Sequence, residues 1–193
     1  MTIILSNSLA LITPDDIEAH EKPRAFFPFN ETFDKGGKDI TITKILVVNH
    51  YEATRVQTRH IDKLADHIEK IMNENNWDIL KNGKLDKQYF SLVNSIASGH
   101  GLKTKETNNV EDRMVSFASK FCAHHNQKAP FYDSLVLGKL KHWVKTTGLR
   151  LTRHDYEEYV RVLIELQKKQ KLEEFSLRHI ENYLWVSAKN EKN

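Results

Sequence analysis

From residue 58 onward, apolar residues recur at spacings of three and four, a period that builds one buried helical face and does not suit a strand. Thr58 is placed as an N-cap, and Ile61, Leu64, Ile68, Ile71 and Met72 then keep the period to Asn75. Asn82-Gly83 makes a turn. A short helix over 86–97 follows, with Tyr89, Val93 and Ile96 inward and Phe90 to one side of that stripe. A helix over about 111–125 buries Met114, Phe117, Ala118, Phe121 and Cys122, and Pro130 stands in the break after it. Asp133 sits where an N-cap belongs, ahead of Val136, Leu137, Leu140, Trp143 and Val144, and Gly148 closes that helix. Thr152 with Asp155 reads as a capping-box-like start for a helix to about 171. Ser176 opens the last helix, with Leu177, Ile180 and Leu184 inward, and a polar tail covers 189–193. The expected fold is all-α, with at least five helices between residues 54 and 188 and little sheet.

The first part of the chain is less regular. Residues 1–39 hold Pro14, Pro23, Pro28, Gly36-Gly37 and the scattered Phe26, Phe27, Phe29 and Phe33, a pattern for an irregular strap packed on a core. Residues 40–51, ITITKILVVNHY, alternate and then become apolar, so a buried strand and a buried helix both fit. The absence of an evident partner strand tips the reading to helix. Residues 40–188 are expected to form a single helical domain, large enough for a hydrophobic core without metal or disulfide staples. Seven glycines and four prolines leave few tight turns for a sandwich or barrel.

Function classes narrow quickly. The one cysteine, Cys122, excludes an intramolecular disulfide and a cysteine-rich zinc site. No stretch approaches the ~18 apolar residues of a membrane span. The apolar start, MTIILSNSLALI, lacks the basic region and small-residue cleavage site of a secretory leader, so the expected compartment is the cytoplasm. No phosphate-binding glycine loop, G-x-S-x-G elbow or H-E-x-x-H pair is present. His124 and His125 are neighbours, and adjacent helical side chains diverge by about 100°, which ill suits one ion. Neither a metal nor a cofactor is expected.

Charge is unevenly spread. Residues 1–101 carry 12 Lys+Arg against 14 Asp+Glu, while 102–193 carry 17 against 12. Lys139, Lys141, Lys145, Arg150 and Arg153 lie close together in the basic half, with His142 and Trp143 interleaved. Such a set suits contacts to nucleic-acid phosphates, and it equally suits an ordinary solvated helix face. Asp133 likewise has two roles open: a cap, which stabilises a helix by ~1 kcal/mol, or a carboxylate at the mouth of a cleft beside Lys120, His124 and His125.

The order of Ala118, a helix end, Pro130, Asp133 and Val136 within SFASKFCAHHNQKAPFYDSLVLGKL resembles the segment after the hairpin in the helix-hairpin-helix DNA glycosylase superfamily. The likeness covers roughly residues 110–145. It implies a multi-helix orthogonal bundle, DNA as partner, and Asp133 as the catalytic aspartate. A base flipped from the stack would meet Asp133, and Ser116, Ser119 and Lys120 would line the approach. The pattern departs from the family at two places. Residues 104–113, TKETNNVEDR, hold neither the proline nor the glycines of the family hairpin, and Ser116 stands where bifunctional members carry a lysine. Lys120, one turn later in the same helix, is the candidate for that catalytic lysine. Two other readings fit the same residues: a helical scaffold without catalysis, and a protein-interaction module with no nucleic-acid role.

Overall fold

The computed structural model describes residues 12–19, 37–52, 54, 56–72, 74–98 and 110–191. Every regular element among them is helical, with no strand. The chain divides into two compact units: a terminal one drawn from Met1–Arg24 and Tyr132–Asn193, and a central one within Ala25–Phe131.

Along the chain, α1 is Pro14–Glu18, in the terminal unit, and the first helix described in the central unit is α2, Lys38–Tyr51. The ambiguous segment 40–51 is therefore helix. Thr41, Lys44, Ile45 and Val48 form its buried stripe. Its start is tied down by Glu69, which accepts from the Gly37 N–H and the Thr41 hydroxyl. After it, the Asn49 amide clamps the following turn, accepting from Val56 N at 2.8 Å and donating to Val56 O at 3.0 Å.

Thr58 begins a 3-10 turn, Thr58–His60, that leads into α3, Ile61–Ile71. The expected continuous helix to Asn75 is broken. Met72 turns extended (φ −81°, ψ 111°), and α4 starts afresh at Glu74 and runs to Lys81. Asn76 donates from its side-chain amide to the carbonyl of Ile71, so a polar side chain takes over a carbonyl that α3 leaves open at its end. The apolar period runs across this break, which is why spacing alone does not reveal it.

Asp86 caps α5, Lys87–Ala97, accepting from Gln88 N and Tyr89 N. This helix buries Phe90 along with Tyr89, Leu92, Val93 and Ile96, so its apolar face is wider than the stripe read from sequence. α6, Val110–Ala123, packs on α2 and α5, and α3 packs on α2 and α5. Phe117, Ala118, Phe121 and Cys122 sit fully buried in the resulting core with Ile45, Leu64, Ile68 and Val93. Each large apolar side chain taken out of water there stabilises by about 1.5–3 kcal/mol. The polar loop expected at 102–110 lies, but for Val110, outside the described residues.

In the terminal unit, α7 (Ser134–Thr147), α8 (Tyr156–Gln170) and α9 (Leu177–Asn190) pack together, and α1 rests on α9. The strap was expected to be irregular throughout, yet α1 is a helical turn within it. Thr13 and Asp16 cap each other and Pro14 occupies the first turn, a purely local set of bonds that needs no long apolar period to form a helical turn. The aromatic stretch Phe26–Phe33 lies outside the described residues. α8 is capped by Asp155, not Thr152; Thr152 instead donates its N–H and hydroxyl to Glu158. α9 runs on to Asn190, past the expected start of a tail at 189, because Ala188 remains buried on its inner face.

Candidate functional site

Asp133 occupies the N-cap of α7 in extended backbone (φ −129°, ψ 137°), and its Oδ1 accepts from Leu135 N at 2.8 Å. The cap role is thus filled. Its side chain is half-buried, between the enclosed Tyr132 and the exposed Ser134. Tyr132 is fixed at two points. Its ring packs on Tyr159 with centroids 5.1 Å apart, and its hydroxyl accepts from the His154 N–H at 2.9 Å. Tyr159 in turn stacks on Tyr156. His154 is in the left-handed region at φ +73°, a conformation that costs a residue with a Cβ and persists only when its surroundings hold it.

The basic residues are not one continuous surface. Lys141 and Lys145, four residues apart, share a face of α7, with Lys145 exposed. Lys139 lies away from that face, is 17% exposed, and pairs with Glu191 at the end of α9. Arg150 is open to solvent but lies 3.2 Å from Glu158. Arg153 is exposed in the turn before α8.

Lys120, Ser116 and Ser119 belong to α6 and so to the central unit. Ser119 is buried and donates its hydroxyl to Ser116 O at 3.1 Å. Lys120 is 4% exposed, donates from Nζ to Glu52 O at 3.1 Å, and lies over the Phe131 ring. Beside it, His124 Nε2 is 3.6 Å from Glu52 Oε1, both side chains closed to solvent. Lys44 is fully buried with its Nζ 4.0 Å from the Trp77 ring centroid, and His125 also packs on that indole with ring centroids 5.1 Å apart. Burial, and after it the charges of Lys44, His124 and Lys81, hold the His125 imidazole well below its usual range. The Cys122 thiol is pushed up by burial alone, which fits a small core hydrophobe and not a nucleophile.

Lys44 and Glu52 were not singled out by sequence reading. For Lys44 a signal existed: it falls on the 41–44–45–48 stripe of a helix, where a lysine is out of place. Glu52 had none, because its burial depends on α6, almost seventy residues away in the chain. A groove of about 420 Å³ lies along α4 and α5, lined by Asn76, Ile79, Lys87, Gln88, Ser91 and Ser95 among others. None of the residues expected at a site lines it. Among the described residues no cluster of histidines, cysteines and carboxylates could hold a metal ion. No described helix is long and apolar enough to cross a membrane.

Comparison with known proteins bears on the central unit above all. An uncharacterized protein of Haemophilus influenzae is 34% identical over 84 residues, which cover 41% of this chain and 39% of that protein. The match thus spans about two fifths of that relative's length. No solved structure matches. Residues 14–129 match the family model HI_0787_N, described as an N-terminal domain; the match begins at α1, takes in every central helix and stops short of Asp133. It covers more than half of the sequence, and the chain belongs to the HI_0787_N family.

Proposed function

We propose that this protein is a cytoplasmic DNA-binding protein that releases a damaged or modified base, with Asp133 as its catalytic carboxylate, in an orthogonal helical bundle like that of the helix-hairpin-helix glycosylases. The observation that carries the reading is the setting of Asp133: a half-buried carboxylate fixed at the first turn of α7 while one oxygen is held by Leu135 N. A carboxylate so restrained meets a developing positive charge with little reorganisation. In the hydrolysis, water adds its oxygen to the sugar carbon, the N-glycosidic bond breaks, and its electron pair leaves with the base. The water supplies a hydroxyl to the sugar and, in balance, a proton to the base. Asp133 stabilises the positive sugar and orients the water. Lys141, Lys145 and Arg153 supply phosphate contacts that position the duplex without reading its sequence.

A second reading, a helical scaffold without catalysis, is favoured by a separate observation: Lys139 and Arg150 are engaged by Glu191 and Glu158, and Lys120 by a backbone carbonyl. Asp133→Asn separates the two. Asparagine caps a helix about as well as aspartate, so the melting temperature should stay within a few degrees. Base release from duplexes carrying alkylated, oxidised or deaminated bases should vanish while DNA retention persists. No release by the wild-type protein, or equal release by the variant, favours the scaffold.

A further inference from the structure

We propose that Tyr132 is a positioning residue that sets the direction of the Asp133 carboxylate by stapling the start of α7 to the turn before α8. The inference rests on the catalytic reading of Asp133. Position 132 is the last residue before the cap, so any rotation of its backbone is passed directly to Asp133. Two independent restraints act on it: the Tyr159 ring against its face and the His154 N–H on its hydroxyl. Both partners come from the segment that opens α8, and Tyr156 backs Tyr159 from within that helix. The staple therefore links two helix starts through one rigid side chain with only two rotatable bonds.

His154 gives the link its meaning. A histidine at φ +73° is strained, and the bond from its N–H to Tyr132 is one of the contacts that keep it there. Without the hydroxyl the turn has less reason to hold that conformation. Arg153, immediately before it, and Asp133, immediately after Tyr132, would both lose a fixed reference. The Tyr132 hydroxyl thus helps to register the segment that carries Asp133 to the one that carries Arg153. Displacements of about 1 Å at a reacting group can cost on the order of a hundredfold in rate.

Tyr132→Phe tests this with minimal disturbance, since the ring and its packing on Tyr159 remain. On whichever damaged duplex the wild-type protein cleaves, the single-turnover rate of base release should fall about tenfold to a hundredfold. The half-saturating concentration and the DNA affinity should stay within twofold. Hydrogen exchange at the His154 amide should accelerate in the same variant, reporting loss of the bond itself. A variant that releases base at the wild-type rate overturns the positioning role and leaves the Asp133 reading intact. A rate loss matched by an equal loss of DNA affinity also overturns it, because that is what general loosening produces. If the wild-type protein releases no base from any of these duplexes, the Asp133 reading falls and the inference falls with it.

Discussion

The two units differ in which polar side chains they enclose. Both leave most of their charges exposed, but the central one also buries Lys44, Glu52, Lys120 and His124 near Trp77, Phe131 and the backbone. The terminal one buries hydroxyl-bearing aromatics, Tyr132, Tyr156 and Tyr159, and leaves most of its lysines and arginines on the outside. Residue type alone would assign chemistry to the first and bulk to the second. Burial reverses the weighting, because a side chain that is closed to solvent and already bonded serves the fold before it can serve a substrate. The excess of basic residues after position 101 is likewise not one surface: Lys120 is interior, and Lys139 and Arg150 have carboxylate partners.

The contrast can be broken most severely where, among the described residues, the terminal unit does bury a charge. Glu181 is fully enclosed and is held by Arg178 at 2.7 Å. Arg178→Ala removes that partner from an enclosed carboxylate and should cost about 3–5 kcal/mol, read as a fall in the urea midpoint. In the central unit, Lys120→Met keeps the length of the side chain and removes the donor to Glu52 O. A loss of about 1.5–3 kcal/mol is expected, the worth of a charge-assisted bond, and an unchanged midpoint would mean that the buried amine is not structural.

Acid sharpens the comparison further. His125 is held below its ordinary value in the fold, so near pH 6.5 and below the unfolded chain takes up a proton that the folded one resists. Above that pH it makes no difference to stability; as pH drops through and below 6.5, stability is lost until the folded imidazole itself protonates. His125→Phe should flatten the acid limb of the denaturation curve, with the change read by a probe in the central unit such as Trp77 fluorescence. The smallest effect belongs to the exposed Arg161–Glu157 pair of α8. Arg161→Ala should move stability by about 0.3–0.5 kcal/mol and less in high salt.

What was legible in the sequence follows the range of the forces involved. α7 could be bounded almost to the residue because Asp133 and Gly148, the latter left-handed at φ +71°, act on their own first and last turns. Ser176 marked α9 for the same reason. The break between α3 and α4 was hidden, since both sides carry inward apolar residues and the deciding bond is made by one asparagine. Of the candidate site, Asp133 and the exposed cations of α7 could be picked out by position. The staple through Tyr132 could not: it joins residues 132 and 154, and nothing in either neighbourhood announces the other.

The terminal unit is assembled from both ends of the described chain, with α1 resting on α9. A ribosome makes these pieces far apart in time. Between Glu18 and Leu177 the growing chain needs roughly 8–30 s at ordinary elongation rates. During that interval the whole central unit emerges, contiguous and able to collapse on contacts of its own. Ile12 and Ile17, destined for burial, must wait beside it without their partners. The capping bonds of Thr13 and Asp16 close within five residues and need nothing downstream, so the helical turn can form early and hold its two isoleucines ready for α9.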